Sequence, residues 1–279
     1  MTDKVTKIRK NSLLQHGHFN DRIYLMKLDE QDFPEVLKDL AALQQQYAYS
    51  KIFAKIPPFA VSGFLSEGYS LEARVPFFYD GELEGAFMAK YFSSSRRMEE
   101  RWEEVEKNIR LALSKQEDEI SSDLPSGMSM RPADDNDTAQ MAELYRLVFK
   151  TYPFPIHDPK YLQQTMHENI KYFGVWEKDK LVALSSAEQD EKERNVEMTD
   201  FATDPECRGQ GLASLLLLTM EESMAQSGYK MSYTIARAMS PGMNITFARA
   251  GYLFGGTLIK NTNIAGRFES MNVWYKRLN

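Results

Sequence analysis

The 279-residue sequence has a single cysteine, Cys207. No internal disulfide can form, and a reducing compartment is expected. No apolar run is long enough to cross a bilayer, and the leucine run at 215–218 is far too short. The opening residues, Met-Thr-Asp-Lys-Val-Thr-Lys, lack the apolar core of an export signal, which points to the cytoplasm. Positive charge is not in excess, with 34 Lys and Arg against 40 Asp and Glu and a net charge of −6. A nucleic-acid binder would normally carry a basic face, so that class is disfavoured. The acidic balance is compatible with a small cationic substrate. The four histidines (His16, His18, His157 and His167) have no cysteine or carboxylate partners at metal-ligand spacing, so no metal is expected.

What is present is a mixed α/β pattern. Residues 1–20 read as a polar, irregular, mobile entry. A first strand comes next, at 22–28. Asp32-Phe-Pro-Glu35 then starts a helix with an Asp cap and a proline in the first turn. A strand at 52–56 and a short helix at 59–66 lead to two strands flanking Asp80-Gly81, a strong hairpin signal. The charged segment 93–115 reads as a surface or bridging helix with Trp102, Val105, Ile109 and Leu113 on one stripe. Polar, turn-rich residues at 116–127 place a domain boundary there, giving units 1–127 and 128–279. The second unit reads as strand, helix, a proline- and aromatic-rich loop at 151–159, a helix, a three-strand meander, helix, strand, helix and a closing strand pair. No internal repeat shows in the letters.

The stretch 195–226 organises the chain. Val196, Met198 and Ala202 alternate with polar neighbours as a strand, which Pro205 ends. Arg208-Gly-Gln-Gly211-Leu-Ala213 is a small-residue loop, and Leu212, Leu216, Met220 and Met224 then recur at helical spacing. A glycine loop entering a helix N-terminus presents free amides and the positive end of the macrodipole, which suits a pyrophosphate. A dinucleotide site would want a third glycine, and Ser214 stands there instead. No Gly-Lys-Ser/Thr is found after it, so a P-loop is excluded. The plain alternative is a close helix–strand turn that needs glycine.

Pro205-x-x-Arg208-Gly-Gln-Gly211-Leu-Ala213 resembles the signature of the GNAT superfamily of acetyl-CoA-dependent N-acetyltransferases. Asn244-x-x-Phe247-x-x-x-Gly251-Tyr252 resembles that superfamily's second cofactor segment. The resemblance implies a GNAT fold in the C-terminal half. It implies acetyl-CoA as cosubstrate, held by Arg208, Gly209, Gln210, Gly211, Leu212 and Ala213, with Asn244 and Phe247 beside it. The strand at Phe201, Ala202 and Thr203 would pair with the pantetheine arm. Glu197 falls where the superfamily often has a glutamate base, with Asp200 as the alternative. Glu197 shares a strand side with Thr203 only if the pleat is regular. Phe247 stands where many members have a tyrosine acid, leaving Tyr252 as a substitute or a core residue.

Over essentially the whole chain, segments such as Tyr49-Ser-Lys-Ile-Phe-Ala-Lys-Ile-Pro57 and Tyr152-Pro-Phe-Pro-Ile-His-Asp-Pro159 are similar to the β-lysine N-acetyltransferases. That resemblance implies transfer to the ε-amine of β-lysine, giving a compatible solute, with a lysine 2,3-aminomutase as pathway partner. Tyr152, Phe154 and Asp158 are candidate acceptor-site residues, and Arg74 or Arg267 could meet a carboxylate. A polyamine acetyltransferase and a non-catalytic acetyl-CoA-binding module stay open as alternatives. The N-terminal unit reads as a degenerate GNAT-like half that completes the acceptor pocket or makes a homodimer contact.

Overall fold

The computed structural model describes residues 3–121 and 123–278. Strands β1 (Lys4–Ile8) and β2 (Ser12–Gly17) precede β3 (Arg22–Lys27), where an irregular entry was expected. Met1 and Thr2 lie outside the described residues. The Asp3 carboxylate explains the difference, because it accepts hydrogen bonds from the Phe19 and Asn20 amides and the Asn20 side chain. Those bonds tie the chain start to the β2–β3 turn, while Leu14, Gln15 and His16 are buried. Asp32 also differs from expectation. It does not cap α1 (Val36–Tyr47); its carboxylate accepts the Lys10, Asn11 and Ser12 amides and the Ser12 hydroxyl.

Next come β4 (Lys51–Ile56), α2 (Pro58–Ser66), β5 (Ser70–Tyr79) and β6 (Leu83–Tyr91). Asp80 and Gly81 both have positive φ, 54° and 73°, the mirror-type turn that suits a twisted hairpin. A single turn, α3 (Ser94–Arg97), and α4 (Trp102–Leu113) bridge to β7 (Met128–Pro132). The buried stripe of α4 is Val105, Asn108 and Ala112, with Trp102 and Leu113 exposed. It packs on a helix of the second half, and the Asn108 amide donates to the carbonyl of Ala238, in the turn before that helix, at 3.1 Å. Helices α5 (Thr138–Val148) and α6 (Pro159–Glu168) come next, then the meander β8 (Ile170–Glu177), β9 (Lys180–Asp190) and β10 (Asn195–Thr203). The chain closes with α7 (Leu212–Gln226), β11 (Met231–Arg237), α8 (Pro241–Arg249), β12 (Leu253–Ile264) and β13 (Arg267–Arg277).

These strands form one 13-stranded sheet, ordered β1-β2-β3-β4-β6-β5-β12-β13-β11-β10-β9-β8-β7. Its pairs are antiparallel except β3–β4 and β10–β11. The topology holds a repeat that the letters hide. In each half a three-strand meander leads through a helix to a parallel strand, then through a second helix to a hairpin. The hairpin's second strand lies beside the parallel strand in both halves. Strand β7 and helices α5 and α6 are additions to the second copy.

The halves meet edge to edge at one paired position, Gly256 with Ala73. Any side chain at Gly256 would place its Cβ 2.2 Å from the Glu72 carbonyl oxygen, so only glycine fits. They also meet face to face. Tyr24, Phe53, Phe78 and Phe87 of the first half share a core with Met231, Tyr233, Leu258 and Val273 of the second.

Candidate active site

Strand β10 is where the sheet opens. It runs parallel to β11 at Asn195, Val196 and Glu197, opposite Met231, Ser232 and Tyr233. Past that rung the two strands share no pairing, although β10 continues to Thr203 and β11 to Arg237. On its other edge β10 runs along β9 through a bulge. Thr199 faces Ser186 and Ala202 faces Leu184, so Asp200 and Phe201 oppose Ser185 alone. Asp200 takes a left-handed conformation, φ 57°. The regular pleat on which Glu197 and Thr203 would share a side is therefore broken.

The parted strands bound a cleft of about 760 Å³. Asp200, Phe201 and Thr203 line it from β10, with Arg208, Gly209, Gly211, Leu212 and Ala213 from the loop and first turn of α7. Phe247 and Tyr152 complete the set of expected residues there, the Phe247 ring standing edge-on to Phe201 at 5.5 Å. Gly209 and Gly211 have φ of 81° and 75°, which side chains rarely adopt, and a Cβ at either would meet nothing within 4 Å. Glycine is thus required by conformation, and the space above the loop is open. Ser214 and Leu215 make the first bonds onto the Gly211 carbonyl. Among the described residues the amides of 209–213 donate to no carbonyl, and Arg208 has no ion-pair partner. Free amides, a helix N-terminus and an unpaired guanidinium fit a pyrophosphate.

Other expected site residues are placed elsewhere. Tyr252 is fully buried, its hydroxyl on Ser232 and its ring against Phe247, which places it in the core and off the cleft wall. Asn244 is a structural peg: its amide donates to the Arg237 and Ser240 carbonyls, and its oxygen accepts from Asn272 and Trp274. Ala202 is buried on the α5 side of the sheet. Gln210 is exposed and does not line the cleft. Phe154 packs against the α5–α6 core. Asp158 caps α6 through the Lys160 amide. Arg74 pairs with Glu84 at the surface, and Arg267 lines a shallow surface hollow apart from the cleft.

The acidic pair is positioned unequally. The Asp200 carboxylate accepts hydrogen bonds from the Tyr152 hydroxyl and, at 2.6 Å, from Ser186 Oγ. It is a pinned group. Burial raises its pKa, against the pull of those hydroxyls. Glu197 is partly buried and lies one pleat from Thr199, which lines the cleft. Burial pushes its carboxyl up to about 7, with Glu188 adding to the rise and the Lys55 ammonium opposing it. Lys55 comes from β4, in the N-terminal half. Its Nζ donates to the Tyr233 hydroxyl at 2.9 Å and lies 5.5 Å from the Tyr24 ring centre. Burial would lower the Lys55 pKa, but Tyr24, Glu197 and Glu188 outweigh it and hold the ammonium above its usual range. Glu188 stands directly opposite Glu197 across β9 and β10.

Sequence reasoning missed Lys55, Tyr24, Glu188 and Tyr233 as site residues. One signal was present. Lys51-Ile-Phe-Ala-Lys-Ile56 alternates so that Lys51, Phe53 and Lys55 share one face of a strand set deep in the fold. Lysines on the inward face of a buried strand need partners.

Comparison with known proteins agrees with this geometry. The Acetyltransferase (GNAT) family matches residues 139–249. The Beta-lysine N(6)-acetyltransferase of Methanococcus maripaludis is 39% identical over 274 residues, covering 98% of each chain. The N-acetyltransferase YodP of Bacillus subtilis is 34% identical over 96% of each chain. The Beta-lysine N(6)-acetyltransferase of Methanosarcina mazei is 34% identical over 88% of this chain and 98% of its own. With the strand opening, the glycine loop and this whole-length similarity in hand, the chain belongs to the GNAT acetyltransferase family and is an N-acetyltransferase.

Proposed function

We propose that the enzyme transfers the acetyl group of acetyl-CoA to the terminal, ε-amine of β-lysine. The observation that carries this reading is the 39% identity over 98% of both chains with a relative of that name. The loop at 208–213 would hold the pyrophosphate of acetyl-CoA, which supplies the acetyl group as a thioester. Glu197 takes the proton from the substrate ammonium. The freed amine nitrogen attacks the thioester carbonyl carbon, the N–C bond forms, the C–S bond breaks with its electron pair leaving on the thiolate, and the second proton of the nitrogen passes to that thiolate, giving the neutral amide and the thiol. An alkylammonium has a pKa near ~10.4, so a base is needed at neutral pH. A thiol of pKa ~8.5 can leave without a dedicated acid, which accommodates Phe247 in place of a tyrosine. Acetylation removes one positive charge and leaves a net-neutral zwitterion, the property of a compatible solute. A lysine 2,3-aminomutase would supply the substrate, and the setting would be the cytoplasm.

A thiol-release assay with β-lysine, α-lysine and spermidine tests the reading. The expected result is a kcat/KM for β-lysine at least about 10-fold above either competitor, a discrimination of ~1.4 kcal/mol. Preference for spermidine would replace the substrate. Acetyl-CoA binding without thiol release from any amine would replace the enzyme with a binding module.

A further inference from the structure

Besides the cleft, a cavity of about 250 Å³ lies between the two halves of the chain. The N-terminal half lends it Lys27, Asp29 and Lys55, and the C-terminal half lends it Glu188, Asp190, Asn195 and Tyr233. We propose that this cavity is the acceptor pocket. Its ligand class is an amino acid with a second, terminal ammonium, which points toward Glu197 while the amino-acid head stays at the rim. The proposal rests on the acetyl-transfer reading above and adds where the amine binds and what it must carry.

The order of residues along β10 gives the direction. Asn195 lines the cavity, Thr199 lines the cofactor cleft, and Glu197 lies between them on the same strand face. An amine entering past Glu188 therefore reaches Glu197 with the thioester side beyond it. The charges give the ligand class. At the inner end Glu188 and Glu197 oppose each other directly across two strands, an arrangement that like charges disfavour. Lys55 is the cation that acts on both carboxylates; Lys27 adds to it at Glu188, while Asp190 and Asp200 oppose, so negative charge stays in excess and a ligand ammonium would neutralise part of it. Asn195 is 4% exposed, and its amide nitrogen is spent on the Phe78 carbonyl at 3.1 Å. Among the described residues its side-chain oxygen has no donor, which leaves an acceptor for an N–H. Toward the rim, Lys27 pairs with Asp190 at 2.8 Å and Lys192 with Glu193 at 3.3 Å. Each pair sets an exposed lysine against a partly buried carboxylate, and the solvent-facing lysines can exchange partners with the carboxylate of a zwitterion.

The test uses the full-length enzyme, with amine and acetyl-CoA varied separately. Glu188→Gln is nearly isosteric, and Lys27→Ala removes a half-exposed side chain, so both variants are expected to fold. Glu188→Gln should raise the KM for β-lysine about 10-fold or more and leave the KM for acetyl-CoA within about 2-fold. Lys27→Ala should raise the KM for β-lysine, yet leave that for its decarboxylated diamine unchanged. If both variants keep the wild-type amine KM while the wild type acetylates β-lysine, the pocket assignment falls and the activity stands. If the wild type acetylates no amine, calorimetric titration with β-lysine decides the pocket alone. Binding that Glu188→Gln abolishes supports it, and no binding to the wild type overturns it.

Discussion

The two halves share one plan and then part at a single step. After β3 comes a 3-10 turn, Glu30–Asp32, capped by Asp29; after β10 comes a 3-10 turn, Pro205–Cys207, capped by Asp204. Both strands carry a bulge near their ends, at Met26 and at Asp200–Phe201. The segments between turn and helix are unlike. The second half places Gly209 and Gly211 at positive φ before α7, and the first half places Phe33, Pro34 and Glu35 before α1. The third residue of each turn differs too. Asp32 turns its carboxylate onto the amides of Lys10, Asn11 and Ser12, while Cys207 is a buried thiol at the cleft. One copy thus spends this carboxylate on its own β1–β2 turn, bonds its Phe33 amide to the Glu30 carbonyl and has no amide hydrogen at Pro34, and the other leaves loop donors free for a ligand. The strands agree with this division. β3 and β4 pair at four positions and leave two residues each beyond them; β10 and β11 pair at three and then separate over the cleft. The closed half, which has no such glycine pair before its helix, still contributes Lys55 and Tyr24 to the surroundings of Glu197.

Separating the copies is the harshest way to break this comparison. A truncate of residues 128–279 exposes the aromatic face that Tyr24, Phe53, Phe78 and Phe87 cover, and it loses Lys55. It should be insoluble or without measurable acetyl transfer, judged by size-exclusion chromatography and thiol release. A soluble, fully active truncate would make the first half dispensable.

A sharper test stays within the open half. Glu197→Gln should lower kcat by about 10²–10⁴-fold with the KM for acetyl-CoA little changed. The wild-type kcat/KM for the amine should fall as pH drops through about 7, where Glu197 protonates among Lys55, Glu188, Asp200 and Tyr233. The sign for stability is opposite to that of a salt-bridged carboxylate. A folded pKa above the unfolded value of 4.5 means that ionisation, between about pH 4.5 and 7, costs stability. Glu197→Gln should therefore gain in melting temperature relative to wild type at pH 8 more than at pH 5.

The smallest effect is expected in the closed half. Asp32→Ala leaves three amides without their acceptor and should cost about 1–3 kcal/mol, read by denaturant melts, with kcat retained. Burial would raise the Asp32 pKa, but hydrogen bonds from Asn11, Ser12 and Lys10 bring it down to about 2. That stabilisation is fully present above the unfolded value of 3.8 and is lost as pH falls toward 2. The wild-type advantage should shrink in the same window.

Much of the open half was legible in the letters, since local chemistry dictates it. Two glycines at a helix start announce free amides, and Asp80-Gly81 announces its hairpin. Tyr252, open between substitute acid and core residue, and Asn244 find their partners, Ser232 and Trp274, on other strands that the neighbouring letters do not name. Lys55 was missed for the same reason, as its partner Tyr233 lies 178 residues away. The repeat was hidden because a topology tolerates very different side chains as long as inward and outward positions alternate. The bulge at Asp200 carries no glycine, and its register is set by β9, so the sequence of β10 alone cannot show it.

The joining of both copies in one chain has a consequence for how the site is maintained. In a symmetric pair of identical subunits every substitution occurs twice, and assembly depends on dilution. Here Lys55 and Glu197 are tethered, so their meeting is set by effective concentration and not by the amount of protein present. Each copy is also free to change alone. A chain built this way can specialise one half for the nucleotide end of a cosubstrate and the other for the amine, with no change in either imposed on its counterpart.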